Sequence, residues 1–369
     1  MKNFLIAKPT RFNLFVGENN SGKTSLLEAI FMHCAPVNFN VILGVLSMRH
    51  GGFLGNQKYI VDNLRWFFSE PEGKSVLKIN IESYYNGKKR LSEIELEDIS
   101  KNSVMTDILS GNNALKHAHF DTGSSAKSVK IELNRILDSE IEGIAYGILT
   151  YKFANKEGSV ESRQVFDSKR ELTILSPKIR TDIETKILST SFFKRPESGV
   201  TEWDKAVKKR ISKDAIEIMQ KIDNKIIGAQ ILMSAPNTAE LYVEYKGLGL
   251  MPLSGLGDGI RKMLIIALSL SECRNGVLLI DEIEQAIHYN ALVPFLDWLM
   301  KMAKDHDVQV FATTHSLECI DALINTNINN LNDISLYKMF RENYTLTNKK
   351  ISGPKLKTLR IEMGQDVRW

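Results

Sequence analysis

Eight consecutive residues, Gly17-Glu18-Asn19-Asn20-Ser21-Gly22-Lys23-Thr24, carry the most specific chemistry in the chain. They fit Gly-x-x-x-x-Gly-Lys-Ser/Thr, a pattern whose backbone N–H groups and lysine cradle the phosphates of a nucleotide while its hydroxyl takes one position on magnesium. Gly17 and Gly22 let the backbone come close to the anion. Lys23 reaches the β- and γ-phosphates and Thr24 supplies the hydroxyl, with Asn19, Asn20, Ser21 and Ser25 as the rest of the cradle. A glycine turn that only capped a helix would need neither Lys23 nor Thr24.

Three further constellations lie downstream. Gly276-Val277-Leu278-Leu279-Ile280-Asp281-Glu282 is an apolar strand ending in two acids. Such a strand aims Asp281 at the magnesium shell and holds Glu282 where it can orient and deprotonate water. Val308 to Ala312 is another buried strand, ending in Thr313-Thr314-His315-Ser316. His315 therefore falls on the same edge of a parallel sheet as Asp281, where ligands collect, and is expected to sense the γ-phosphate. Ser254-Gly255-Leu256-Gly257-Asp258-Gly259 precedes a helix over Ile260 to Leu270. It offers N–H groups at a helix N-terminus to an anion.

Elements must position these groups. Phe12 to Val16 reads as the buried strand that feeds the loop, and Ser25 to Phe31 as the helix leaving it. Lys74 to Tyr85 and Gly87 to Leu96 alternate around Asn86-Gly87, a hairpin signal. Gly147 to Ala154 and Glu161 to Leu175 continue the β character, and Lys127 to Leu133 suggests another strand. Ile179 to Leu188 has helical spacing. Thr201, with Asp204 three residues on, predicts one helix running to about Asn224. Its cations Lys205, Lys208, Lys209, Arg210 and Lys213 read first as a solvated face and second as a contact for nucleic-acid phosphates. Ile226 to Met233 and Leu241 to Tyr245 form a hairpin, and Ala291 to Lys304 a helix. Residues 97–128 are polar and loop-like, and His117 and His119 there lack a third metal ligand nearby.

The composition is that of an ordinary globular protein: 369 residues, 43% hydrophobic, 25% charged, formal net charge +4. That charge permits a basic face without demanding a nucleic-acid partner. No apolar run is long enough to cross a bilayer, so no membrane contact and a cytoplasmic location are expected. Cys34, Cys273 and Cys319 are isolated and odd in number, which predicts buried free thiols.

In their order, Gly17 to Thr24, Ser254 to Gly259, Asp281-Glu282-Ile283-Glu284 with Ile287-His288, and Thr313 to Ser316 resemble the ABC-type ATPases of the SMC and DNA-repair kind. More narrowly, Phe12 to Leu27, Leu279 to His288 and Gln309 to Ile320 look like the compact OLD-like ATP-binding proteins found in bacterial anti-phage systems such as PARIS, Septu and retrons.

The resemblance implies an α/β P-loop NTPase fold of ABC-ATPase type, a mixed sheet flanked by helices with a helical-plus-β insertion. The expected division is an ATPase core over 1–96 and 226–369, with the insertion at 97–225. Lys23 and Thr24 then match the Walker-A lysine and magnesium hydroxyl, Asp281 and Glu282 the Walker-B pair, and His315 the switch histidine. Either Ser254-Gly255 or Gly257-Asp258-Gly259 meets the nucleotide, and the relatives' helix register favours the second. Gln57, the one glutamine between the loop helix and the middle region, is the candidate Q-loop ligand to the metal. ATP and Mg2+ are the implied cofactors. A head-to-tail dimer in which one protomer's signature turn completes its partner's pocket is implied as well.

Lys23 and Asp281 are 258 positions apart, more than a compact transporter ATPase needs, and long heptad runs are absent. With that spacing, the resemblance implies an ATP-hydrolysing sensor or scaffold for a separate effector, such as a TOPRIM or HNH nuclease, in phage defence or nucleic-acid surveillance. The alternatives are an OLD-type nuclease in its own right and an ATPase subunit of a transporter or unrelated assembly. The one Asp-x-Asp, Asp305-His306-Asp307, precedes a strand instead of ending one and reads as a polar loop.

Overall fold

Every residue of Phe12–Gly17 is buried, as in a strand at the middle of a sheet covered on both faces. A computed structural model of the chain describes residues 4–36, 38–49, 68, 76–99, 146–166, 171–175, 183–193, 199–220, 222–235, 238–326, 331–342 and 345–368. Its elements run β1 (Phe12–Gly17), α1 (Lys23–Cys34), α2 (Phe39–Arg49), β2 (Val76–Tyr85), β3 (Lys88–Ile99), β4 (Tyr146–Asn155), β5 (Gly158–Phe166), β6 (Glu171–Leu175), β7 (Thr185–Leu188), α3 (Val200–Lys208), α4 (Ser212–Gln220) and β8 (Ile226–Ala235). They continue with β9 (Thr238–Tyr245), β10 (Gly249–Pro252), α5 (Asp258–Glu272), β11 (Val277–Ile280), α6 (Tyr289–Asp305), β12 (Gln309–Thr313), α7 (Leu317–Thr326), β13 (Ile334–Glu342) and β14 (Thr345–Ser352).

The chain divides into two compact units, Met1–Phe31 with Ile183–Trp369, and Met32–Asp182. The first holds a six-stranded sheet in the order β14-β13-β1-β12-β11-β7, parallel except for β14. It also holds an antiparallel sheet in the order β10-β9-β8. One apolar cluster joins Phe12, Leu14 and Val16 of β1 to α5, α6 and α7. Asn13, fully buried on β1, is satisfied: its side-chain amide donates to Thr10 O at 2.7 Å and to Val310 O at 3.2 Å, and its carbonyl accepts from Thr10 N–H. Cys34, Cys273 and Cys319 are free and buried.

The second unit is a five-stranded antiparallel sheet, β2-β3-β4-β5-β6. The Asn86-Gly87 hairpin is present, with both residues left-handed (φ 49° and 72°) as a type I′ turn requires. Its place corrects the expected boundaries of 97 and 225. β3 pairs with β4 from Leu91↔Ala154 to Ile99↔Tyr146, so the hairpin belongs to this sheet and the inserted unit opens at residue 32. It closes at 182, because β7 pairs in parallel with β11 while Trp203, Ala206, Ala215, Ile218 and Met219 enter the core of the first unit.

Two helix expectations also give way. Thr185–Leu188, expected to end a helix, is a strand, since Ile187 and Leu188 are buried at the edge of the parallel sheet. The helix expected over 201–224 is two, broken where Arg210 turns left-handed (φ 60°). Thr201 and Asp204 do not cap it. Glu202 at the third position accepts the Gly199 N–H at 2.9 Å and a Lys186 hydrogen bond at 2.5 Å, and Asp204 pairs with Lys208 at 2.7 Å. Lys209 pairs with Glu184 at 2.8 Å, so the basic face is partly neutralised within the chain. The expectations for 127–133, His117 and His119 lie outside the described residues. No helix of the described residues is long and apolar enough to cross a membrane.

His33 of the second unit is 5% exposed, with Nδ1 2.7 Å from the Ser92 hydroxyl and Nε2 2.6 Å from that of Ser83. Burial, with Arg90 nearby, lowers its pKa from 6.5 to about 4. The unfolded chain therefore binds the proton more tightly. Stability from this group is complete above pH 6.5, falls as the pH drops through the interval, and is gone below about 4. Wild type should lose about 3 kcal/mol more than His33→Gln across that window in chemical denaturation. Equal losses in the two proteins would contradict the burial of an uncharged imidazole.

Candidate nucleotide site

The C-terminal ends of β1, β12 and β11 lie side by side, and each brings a chemical group to that edge. β1 runs into the loop at Gly17. A Cβ on Gly17 (φ 148°) would stand 2.3 Å from the Met339 carbonyl oxygen of β13, so no other residue fits. Asn20 (φ 62°) and Gly22 (φ 79°) complete the turn, and α1 begins with Leu26 N–H donating to Gly22 O at 2.9 Å. The Lys23 ammonium lies inside the loop, donating to Gly17 O and Glu18 O at 2.8 Å each and to Ser21 Oγ at 3.3 Å. Burial lowers its pKa, and the charges of Asp281 and Glu282 work against that shift. Both acids are thus within electrostatic reach of Lys23.

Asp281 joins the pieces. The Thr24 hydroxyl is 3.1 Å from its Oδ2 and 3.3 Å from its Oδ1. Thr313 Oγ1 donates to Oδ1 at 2.6 Å and accepts the Glu282 N–H at 2.8 Å. Adjacent oxygens around magnesium are about 3.0 Å apart for six ligands at about 2.1 Å, so the Thr24 hydroxyl and Asp281 carboxylate fit that ion as neighbouring hard donors.

Past Asp281 the chain turns sharply, with Glu282 (φ 50°) and Ala286 (φ 64°) both left-handed. Lys262 of α5 donates to Glu282 O and Gln285 O at 2.9 Å each. Glu284 accepts the His315 N–H at 3.0 Å, and Arg368 donates to His315 O at 2.9 Å. Beside the loop a pocket of about 290 Å3 is lined by Glu18 to Ser21, by Lys338 to Arg341, and by Arg368. Arg341 also donates to Asn20 O at 3.3 Å.

Lys23, Thr24, Asp281, Glu282 and His315 therefore lie along one sheet edge, the one on which His315 was expected beside Asp281. Asn19, Asn20 and Ser21 form the loop and Ser25 opens α1. Ser254 stands apart. Its N–H donates to Glu240 of β9 at 3.2 Å and its hydroxyl is also bonded to that carboxylate. Gly257 caps α5 without a side-chain hydrogen bond, Asp258 follows, and a Cβ on Gly259 would lie 3.1 Å from Ala286 O. Gln57 lies outside the described residues. Residues that the motifs did not single out as functional are Thr313, Lys262, Glu284, Arg341 and Arg368. Of these, Thr313 carried a signal as a hydroxyl closing a buried strand two residues before a histidine, and Glu284 as the last residue of the Asp281-Glu282-Ile283-Glu284 motif.

A phosphate loop, a strand-end acid pair and a third strand-end histidine on one mixed sheet flanked by helices define a P-loop ATPase of the α/β class. A family model described as AAA ATPase domain matches residues 2–320, and the chain belongs to that family. An ATP/GTP phosphatase of Helicobacter pylori is 25% identical over 343 residues, covering 87% of this chain and 84% of that protein. The uncharacterized protein MJECL11 of Methanocaldococcus jannaschii is 37% identical over 113 residues, 31% of this chain and 99% of its own. Among solved structures, an SMC head bound to the C-winged helix domain of ScpA is similar with a TM-score of 0.41 at 13% identity, over 93% of this chain and 90% of that one. The Pyrococcus furiosus Smc head with an extended coiled coil gives 0.40 at 10%, over 96% and 94%.

Binding and turnover should separate by substitution. Lys23→Ala should abolish ATP binding, because it removes the one cation inside the loop. Glu282→Gln should keep binding and lower turnover by roughly two to four orders of magnitude, the range for a lost general base. Equal steady-state ATP turnover in wild type and Glu282→Gln would remove Glu282 from that role.

Proposed function

We propose that the chain is an ABC-type ATPase that binds Mg2+·ATP between Lys23, Thr24 and Asp281, hydrolyses it with Glu282, and acts as sensor or scaffold for a separate nuclease in anti-phage defence or nucleic-acid surveillance. The observation that carries the ATPase part is the Thr24–Asp281–Thr313 hydrogen-bond chain, which places the hydroxyl of the phosphate loop on the strand-end acid. In this reading Lys23 leaves its three loop acceptors for the β- and γ-phosphate oxygens. Glu282 takes the proton of the attacking water, and His315 contacts the γ-phosphate. Bound magnesium neutralises charge on the phosphate oxygens.

The protomers pair head to tail, with the Gly257-Asp258-Gly259 turn of one facing the phosphates held by another. Supporting that register, Ser254 is engaged by Glu240 in its own chain, whereas the α5 N-terminus carries no side-chain cap. Mixing Gly259→Arg with Lys23→Ala should restore part of the ATPase activity that each lacks alone, since one intact composite pocket can form. Full hydrolysis by a protein shown to be monomeric under assay conditions would rule the composite pocket out.

The separate effector is supported by the acids outside the site. Asp305 ends α6, and Asp307 is held by Arg11 at 2.6 Å just before β12. That is the N-terminal edge of the parallel strands, opposite the nucleotide. Purified protein with magnesium or manganese and ATP should leave plasmid DNA and transfer RNA uncut, and cutting should appear only with a partner protein. Cleavage by the chain alone, persisting in Lys23→Ala but lost in the Asp305→Ala, Asp307→Ala double variant, would make these two acids catalytic.

A further inference from the structure

Lys262 is a cation where a cation is costly. It is 2% exposed and sits on α5 one turn beyond Gly257–Gly259. Its ammonium is satisfied by two backbone carbonyls, Glu282 O and Gln285 O at 2.9 Å each, and by the Phe193 ring, whose centroid is 4.8 Å away. Glu284, Glu282 and Asp281 act on it through their charge, against a burial that draws its pKa down to about 8. A methionine could fill the same space without desolvating a charge. The lysine's distinctive product is the grip on both ends of the Glu282–Gln285 turn, whose first residue is held left-handed without being glycine or asparagine. Beside it the Ala286 carbonyl faces Gly259 closely enough that a Cβ there would stand 3.1 Å from the oxygen. The helix that carries the signature turn thus holds the Glu282 turn at both ends through one side chain.

We propose that Lys262 is a positioning residue for Glu282: from α5 it fixes the backbone of the Walker-B turn, so that the helix and the glutamate move as one piece. The inference rests on the reading of Glu282 as general base. Lys262 is expected to act on turnover and not on the nucleotide affinity of its own phosphate loop, since its ammonium is bonded to the Glu282–Gln285 turn.

The test measures kcat and KM for ATP, and equilibrium binding of a fluorescent ATP analogue, in wild type, K262M, K262R, E282Q and the K262M/E282Q double variant, with thermal unfolding recorded beside them. K262M should lower kcat by about 10- to 100-fold, the scale of a displaced catalytic group, with KM and analogue binding within about 2-fold of wild type. K262R, which keeps donor and charge, should recover part of the loss. K262M should add nothing to E282Q, because Lys262 acts through Glu282 alone. Wild-type kcat in K262M, or a multiplied loss in the double variant, overturns the proposal while the E282Q defect stands. Full turnover in E282Q removes the premise instead and overturns both readings. Should K262M fail to fold, K262Q replaces it with the same expectations, and a folded K262Q with wild-type kcat overturns the inference.

Discussion

The arrangement of the site depends on how the Asp281 carboxylate is held. It is 9% exposed and takes hydroxyl hydrogen bonds from Thr24, at the start of α1, and from Thr313, at the end of β12. Hydrogen bonds to an ionised acceptor are stronger than neutral ones, and burial keeps solvent from weakening them. Two elements that begin hundreds of residues apart are thereby clamped to a third at one atom group. The same Thr313 hydroxyl receives the Glu282 N–H, so the aim of the acid that would hold magnesium and the backbone of the acid beside it are set by one side chain.

From that clamp the geometry spreads through the residues after Asp281. Ile283 N–H donates to Thr313 O, Glu284 accepts from His315, and Lys262 takes the carbonyls of Glu282 and Gln285. Left-handed backbone at Glu282 and Ala286 costs about 1 to 3 kcal/mol at each. Such strain persists where surrounding bonds over-determine the turn, as these do. The phosphate loop, α5 and β12 therefore meet in one short stretch of chain, and no two of them are neighbours in sequence.

The phosphate loop, the acid pair and the strand-end histidine were legible as patterns because each has a local reason: strand, then loop or strand end, then a side chain of fixed chemistry. Long-range partners were not. Thr185–Leu188 continues an i, i+4 spacing from Ile179 and Ile183, and only its pairing with β11, far along the chain, makes it a strand. The break at Arg210 has neither glycine nor proline to announce it. The hairpin at Asn86-Gly87 was evident, but which sheet it joins was settled by β4, beyond residues that read as loop. Lys262 falls in the first turn of the helix expected over Ile260 to Leu270, where no local pattern marks it for burial. Its burial against two carbonyls depends on how α5 packs against the Glu282–Gln285 turn.

The family match ends at residue 320, yet β13, at Ile334–Glu342, is the direct neighbour of β1 on the side away from β12. It pairs with β1 from Phe12↔Ile334 to Gly17↔Met339, right up to the phosphate loop. A fragment trimmed to the family boundary would turn the most buried strand of the sheet into a raw edge, with a row of unpaired N–H and C=O groups flanked by Phe12, Leu14 and Val16. Open apolar edges of this kind recruit other chains. The working boundary for expressing this ATPase unit therefore lies beyond Ser352, where β14 closes the sheet.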